Sequence, residues 1–229
     1  MKIAIIMPAL NEAGVHAPEF EQCLQGMQAY RDSGNEFIIV DGVSEDDTFT
    51  LAQRYADSAL QCDRGRAVQM NVGARHATAE ILLFLHADTQ LPAHAADAVT
   101  RAISDGYYWG RFDVRLSGDH IMFRIIERMM NLRSCITGIA TGDQAIFVRR
   151  EIFESIGGFP PQPLMEDVEL SKRLRGLGWP ACLRKKVITS SRRWQRFGIV
   201  RTVLLMWRLR LAYFLGVSSE RLAEQYHHG

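Results

Sequence analysis

Residues 81–89 read Ile81-Leu82-Leu83-Phe84-Leu85-His86-Ala87-Asp88-Thr89, an unbroken apolar run that stops abruptly in polar side chains. A continuous run of this kind suits a strand buried on both faces of a parallel sheet, where a half-wet strand would alternate. Two earlier stretches repeat the pattern. Lys2–Met7 runs into Pro8-Ala9-Leu10-Asn11-Glu12, and Phe37–Val40 runs into Asp41-Gly42-Val43-Ser44-Glu45-Asp46-Asp47-Thr48. Helix-like segments are expected between and after these runs, over Phe20–Arg31, Asp46–Ser58, Arg66–Ala77 and Pro92–Ser104, with a short strand at Ala59–Cys62. Proline in the first turn of the last helix and Gly106 just beyond its end fit the usual terminal asymmetry. This β-α-β-α rhythm predicts an α/β fold with a mostly parallel sheet and helices on both faces.

The second half has a different texture. Trp109–Leu116 alternates apolar and polar residues, which suggests an antiparallel strand. Helices are expected over Asp119–Arg133, Glu166–Arg175 and Ile199–Gly216, and strands over Gln144–Arg149 and Ala181–Ile188. No repeat or linker divides the chain, so residues 1–190 read as one domain and 191–229 as a C-terminal helical extension packed on it.

Composition sets limits on partners. The chain has 229 residues and 47% hydrophobic content, enough for one full-sized core. Lys+Arg at 27 against Asp+Glu at 26 leaves a formal charge of +1, without a general bias toward nucleic acid. Cys23, Cys62, Cys135 and Cys182 lie far apart without CxxC spacing, which argues against a zinc knuckle or disulfide framework and fits a reducing, cytoplasmic setting. The N-terminal apolar run breaks at Pro8 and reads as a first core strand rather than a signal peptide. Arginines interrupt each long apolar stretch, so no transmembrane helix is expected.

In open parallel sheets the ligand crevice lies outside the carboxyl ends of the strands. Asp41 leaves its strand at that edge, where its carboxylate can accept hydrogen bonds from a base or ribose, while Ser44 or Asp46 can equally cap the next helix. His86 and Asp88 stand at i and i+2 and can aim at one point. A hard divalent cation on a diphosphate takes one or two protein carboxylates and completes its shell with phosphate and water. Gly65 and Arg66 open a helix, a pairing that suits an anion because free N–H groups and a cation converge there. No GK[ST] follows and GxGxxG is absent, which excludes a Walker loop and a dinucleotide fingerprint. Gly73 reads as a close-packing position of that helix on the sheet. Glu166 and Asp167 start a helix, where the dipole favours carboxylates in any case; a catalytic reading needs Asp167 held in a crevice near an acceptor hydroxyl.

In this order, PALNEA, DGVSEDDT, GRAVQMNVGA, LFLHADTQLP, TGDQAIFVRR, GGFP and MEDVELSKRL resemble the segments of family 2 glycosyltransferases, whose catalytic domain has the GT-A, Rossmann-like fold. The combination of GRAVQMN, LHADT and a terminal RRW resembles a small bacterial branch of that family associated with arsenosugar-type biosynthetic clusters. The resemblance implies an inverting transfer of a sugar from a nucleotide-sugar donor to an acceptor hydroxyl, with Mg²⁺ or Mn²⁺ as cofactor. It places Pro8 and Glu12 at the nucleoside, Asp41 at base or ribose, and Arg66 at the diphosphate or ribose. It makes Asp88 the metal ligand that closes the DxD motif and Asp167 the general base, with Glu166 beside it on the acceptor side. Trp194 would sit on the acceptor side, like the RW element of some family members. Two departures stand out: His86 replaces the first aspartate of DxD, and DGVSEDDT loosens the usual DGSSTDGT. The acceptor, a small or lipid-linked molecule, is left open.

A nucleotidyltransferase shares the layout and the metal-binding aspartates, but it would carry a glycine-rich basic loop after the first strand, where this chain has Leu10-Asn11-Glu12. A non-catalytic nucleotide-sugar binding protein is the other alternative, and Asp88 together with Asp167 argues against it. Within Arg192–Gly216 there are more apolar residues than one stripe needs, interrupted by Arg201, Arg208 and Arg210. Such a helix either lies in a membrane interface, at the inner face of the membrane, or packs on the domain or on a second copy of the chain.

Overall fold

The computed structural model describes residues 1–14 and 17–228. The first half is β1 (Ile3–Ala9), α1 (Ala17–Gly26), α2 (Gln28–Asp32), β2 (Glu36–Asp41), α3 (Thr48–Tyr55), β3 (Ser58–Gln61), α4 (Arg66–His76), β4 (Ile81–Phe84), β5 (Thr89–Gln90) and α5 (Ala95–Ser104). The second half is β6 (Trp109–Leu116), α6 (Ile121–Thr137), a 3-10 turn at Gly142–Gln144, β7 (Phe147–Arg149), α7 (Arg150–Ser155), α8 (Glu166–Arg175), β8 (Ala181–Thr189), α9 (Arg192–Phe197), α10 (Ile199–Phe214) and α11 (Ser219–His228). The strands form one 8-stranded sheet in the order β3-β2-β1-β4-β7-β6-β8-β5.

The continuous apolar runs are parallel neighbours. β1 pairs with β2 on one side and β4 on the other, with Ile6 opposite both Ile38 and Phe84. Period-two alternation sends Ile3, Ile5 and Met7 into one core layer with α1 and α5, and Ala4 and Ile6 into another with α4 and Phe153. Both faces of the sheet are therefore covered, as a buried parallel sheet requires. Beyond β4 the sheet becomes mixed: β7 is antiparallel to β4 and to β6, while β6 and β8 run parallel and β5 closes the edge antiparallel to β8.

The alternation in Trp109–Leu116 has a different cause from the one expected. β6 has an antiparallel neighbour only in β7, and of its three charged residues only Arg115 is exposed: Arg111 and Asp113 are buried and ion-paired to each other. Arg111 also donates to Asn131 O at 2.7 Å. A buried ion pair thus imitates part of a wet face. The segment expected as one helix over Phe20–Arg31 divides into α1 and α2 at Met27, and Arg192–Gly216 divides into α9 and α10 at Gly198. Cys135 and Cys182 are joined in a disulfide, with Cα atoms 6.0 Å apart across 47 residues of sequence, so the expectation of unpaired cysteines is corrected. The pairing follows from β8 returning beside the end of α6, which no local spacing reports.

The Gly73 expectation holds. An added Cβ would lie 2.5 Å from Ile6 Cγ2 and 3.1 Å from Val40 Cγ2, so α4 approaches β1 and β2 as closely as a hydrogen at that position allows. Gly73→Val should lower unfolding free energy by about 1–3 kcal/mol through overpacking. Urea unfolding monitored by circular dichroism checks this, and an unchanged midpoint would show that α4 can retreat from the sheet.

Candidate active site

Because β1, β2 and β4 run parallel, their carboxyl ends share one edge, and a cleft of about 460 Å³ opens there. Pro8, Glu12, Arg66, His86, Asp88 and Tyr226 are among its lining residues. Pro8 belongs to β1 and Glu12 to the loop after it; Glu12 is anchored by its backbone N–H, which donates 2.8 Å to Thr48 Oγ1. Burial, then the nearby Asp88 carboxylate, push the Glu12 carboxyl above its ordinary pKa, while Arg192 opposes the shift. Four of the five residues expected at the donor therefore line one cavity.

Asp41 is the exception. It is fully buried, and its carboxylate accepts from Ser44 N at 3.0 Å, Gln61 Nε2 at 3.0 Å and the Ser44 hydroxyl. Ser44 Oγ in turn accepts from Asn11 N at 2.9 Å. Asp41 thus ties the loop after β2 to the loop after β1 rather than facing the cleft. Asp46 accepts from Thr48 N at 3.0 Å at the start of α3 and also from the backbone of Ala13 and Gly14, after β1.

The block around α4 is also a clamp. Gln69, whose role the sequence did not disclose, is buried and donates from Nε2 to Ala9 O and Val40 O, each at 2.8 Å, fastening the ends of β1 and β2. Asn71 exchanges two bonds with the Phe159 backbone, giving 2.9 Å to its carbonyl and accepting at 3.0 Å from its N–H. The GGFP segment is held against α4 in this way, and residues 160–165 are carried toward the cleft.

Glu166 and Asp167 arrive at the cleft edge on the first turn of α8. Asp167 accepts from Gly142 N at 2.7 Å and from its own helix through Val168 N at 2.7 Å. Gly142 also abuts the Nε2–Cε1 edge of the His86 imidazole, where a Cβ would collide with Nε2. Glu166 is buried, with Oε1 3.4 Å from Arg66 Nε. Burial, then the Asp167 charge, push its carboxyl from the ordinary 4.5 up to about 7, against the pull of Arg66. Burial and the Arg66 charge push the His86 pKa down. A neutral imidazole keeps a lone pair for a cation.

Among the described residues no group of three or more His, Cys, Asp or Glu side chains is placed to hold a metal unaided. Asp88, part-exposed in the cleft, and the neutral His86 form a two-residue donor set. That set fits a cation whose remaining ligands come from a diphosphate. Arg192 Nη2 stands 3.6 Å from Asp88 Oδ2, occupying the direction from which positive charge approaches that carboxylate.

The C-terminal elements enter the site by unforeseen residues. Arg193 stacks 3.7 Å above the Tyr226 ring centroid and donates 3.0 Å to its carbonyl, and Tyr226 and Ala223 of α11 line the cleft. Trp194, expected on the acceptor side, packs instead with Leu116, Phe123 and Ile126, so of the RRW triplet the two arginines reach the cleft residues. The doubled arginine was visible in the sequence; its contacts, 33 residues ahead to Tyr226 and back to Asp88, were not.

An α/β sheet with a carboxylate- and arginine-lined cleft at its parallel edge defines the class, and the chain's membership follows: residues 4–157 match glycosyl transferase family 2, and the chain belongs to that family. It is 30% identical over 174 residues to the PGL/p-HBAD biosynthesis glycosyltransferases of Mycobacterium bovis and Mycobacterium tuberculosis. The match takes in 68% of this chain and 62% of theirs, so the chain spans about three fifths of the length of these curated relatives. In structure it is similar to the mannosyltransferase PcManGT from Pyrobaculum calidifontis, solved in complex with GDP-Man and Mn²⁺, with TM-score 0.68, 21% identity, and 98% of this chain and 68% of that one covered. It is also similar to S. aureus TarS 1-349 in complex with UDP-GlcNAc, with TM-score 0.65, 16% identity, and coverage of 83% and 58%. The fold is the expected GT-A fold.

The raised Glu166 pKa has a consequence for stability. A group whose folded pKa exceeds its unfolded value stabilises the protein fully below about 4.5, and that contribution is lost as pH rises through about 7. The melting temperature of the wild type should therefore fall more steeply across this interval than that of Glu166→Gln. Scanning fluorimetry in matched buffers checks it; parallel curves would mean that Glu166 is ionised throughout.

Proposed function

We propose that the cleft binds a nucleotide sugar and that the protein transfers the sugar, with inversion, to an acceptor hydroxyl. The observation that carries this reading is the meeting of Arg66, His86 and Asp88 from the parallel edge with Glu166 and Asp167 from α8. Relatives named as glycosyltransferases, and neighbours solved with UDP-GlcNAc or with GDP-Man and Mn²⁺, support it.

In this reading the nucleoside lies by Pro8 and Glu12, on loops that Asp41 positions through Ser44 and Asn11. The diphosphate lies at the start of α4, where Arg66 and the helix N-terminus offset its charge. Asp88, with His86, would hold a divalent ion, Mg²⁺ or Mn²⁺, which supplies Lewis-acid neutralisation of the leaving diphosphate. Asp167 takes the proton from the acceptor hydroxyl. The acceptor oxygen then bonds to the anomeric carbon as the bond from that carbon to the phosphate oxygen breaks, and the nucleoside diphosphate leaves with the electron pair. The Gly142 N–H fixes the orientation of the base, and such a base contributes about 10²–10⁴-fold. Arg192 must yield Asp88 when positive charge binds there.

Asp88→Ala should abolish the Mn²⁺-dependent part of the thermal stabilisation given by UDP, GDP, dTDP or CDP, since binding to the folded state is what raises the melting point. Asp167→Asn should keep that stabilisation and lower turnover by two or more decades. Metal-dependent binding that survives in Asp88→Ala would sink the metal assignment, and normal turnover in a lower-melting Asp167→Asn would reduce Asp167 to a helix-start carboxylate.

We further propose peripheral contact with an anionic bilayer through α10. No helix among the described residues is long and apolar enough to cross a membrane. One side of α10 packs through Leu209 on Leu164, Met165 and Leu222, but Val200, Leu204, Trp207, Leu211, Phe214 and Leu215 are exposed. Exposed Arg201 and Arg208 border that face, a pairing of apolar stripe and cations that suits anionic headgroups. The protein should float with anionic but not neutral vesicles, and Arg201→Glu/Arg208→Glu should abolish flotation without unfolding. No flotation, with a concentration-dependent dimer in sedimentation, would assign the face to a second copy of the chain.

A further inference from the structure

A second cavity, of about 300 Å³, lies on the other side of the first turn of α8 from the donor cleft. Met165 and Val168, the residues that flank Glu166 and Asp167 in the chain, form part of its wall. Asp167 bears electrostatically on Arg66 and His86 of the cleft and also on Arg133 of this cavity, so the proposed base stands between the two. The lining combines Arg133, Lys172, Arg175 and Arg210 with apolar Ile139 and Phe214, and contains no carboxylate among the described residues.

The cations are not equivalent. Lys172 is 3.4 Å from Glu169 and lies over the Tyr213 ring, and Arg175 donates 2.8 Å to Thr137 O. Arg133 is poorly served: Nη1 reaches Ile139 O at 3.4 Å, while Nε and Nη2 are buried with no partner. Arg210 has no carboxylate within ion-pair distance among the described residues. Burial, then the Arg210 charge, push the Arg133 pKa down to about 10. Buried guanidinium N–H groups without acceptors are costly, and two guanidiniums crowding each other add to that cost. A planar fork of donors is suited to a phosphate or carboxylate.

We propose that this cavity is the acceptor subsite and that it recognises an amphiphilic acceptor, whose phosphate group sits between Arg133 and Arg210 and whose apolar chain runs along Ile139, Met165, Val168 and Phe214. The inference rests on the glycosyltransferase reading for the word acceptor, but the binding it describes stands independently. Phe214 is 80% exposed and closes α10, whose apolar outer face continues from the cavity mouth, so a chain leaving the pocket meets an apolar surface rather than water. The recognition is of the phosphate as a handle; the hydroxyl that receives the sugar is a separate group of the same molecule, presented to Asp167.

Monododecyl phosphate, below its micellar concentration, is the probe, with inorganic phosphate and dodecyl maltoside as the head-only and chain-only arms. Calorimetric titration should give saturable binding of dodecyl phosphate at least tenfold tighter than either arm. Arg210→Gln and Arg133→Gln should each weaken it tenfold or more, while stabilisation by nucleoside diphosphate with Mn²⁺ stays unchanged. If Arg133→Gln does not fold, Arg210→Gln decides alone, since the Arg210 side chain has no hydrogen bond or ion pair among the described residues. Equal affinity for dodecyl maltoside, equal affinity for inorganic phosphate, or indifference to Arg210→Gln each overturns the proposal. Absence of any nucleoside diphosphate effect in the wild type would instead remove the donor reading and leave the phosphate subsite standing.

Discussion

The parallel pairing of β1 with β2 and β4 is the constraint on which the rest of the molecule depends. Parallel strands need helical crossovers, so α1 to α4 must cover the sheet, and all three strands must end at one edge. There the chain has to turn away from buried backbone, and the side chains that satisfy that turn are the ones that define the cleft. Gln69 answers the carbonyls of Ala9 and Val40, Asp41 gathers Ser44 and Gln61, and Gly73 lets α4 come close enough for Gln69 to reach.

The second half of the chain adds charge to this frame rather than another frame. α8 brings Glu166 to Arg66, and the segment before α9 brings Arg192 to Asp88. Opposite charges meet across the cleft in pairs that a diphosphate and a cation would exchange for their own partners. The rise in the Glu166 pKa and the fall in that of His86 both begin with burial, and both are modified by the same Arg66. Burial therefore sets the direction of both shifts, and the single arginine at the start of α4 opposes the one on Glu166 and adds to the one on His86. The same first turn of α8 separates two cavities of different chemistry, one polar and one basic with apolar walls.

Legibility in the sequence followed from locality. Strands buried on both faces read as unbroken apolar runs, so β1, β2 and β4 could be located; His86 and Asp88 both line the cleft, but from the turn after β4, with Ala87 between them lining it too, so strand alternation is not what brings them together. Locality also misled. In β6 only Arg115 of the alternating charged residues meets solvent, whereas Arg111 and Asp113 pair inside the protein. β5, two residues long, owes its existence to Thr189 and Ile188 of β8 and has no pattern of its own to read.

By itself, then, the sequence determined the α/β class, the parallel edge and several of the residues that line the cleft there, because those depend on periodicity and on the position of polar residues at strand ends. Tertiary structure alone decided that Asp41 turns inward to Ser44 and Gln61, that Cys135 meets Cys182, and that Tyr226 covers the cleft while Trp194 does not. It also decided that Arg133 and Arg210, 77 positions apart by their numbers in the chain, face one cavity whose described lining contains no carboxylate. Apart from Asp41 with Ser44, three residues on, these are contacts between residues distant in the chain. Such contacts are selected by packing of the whole core, and a single sequence carries no local signature of them.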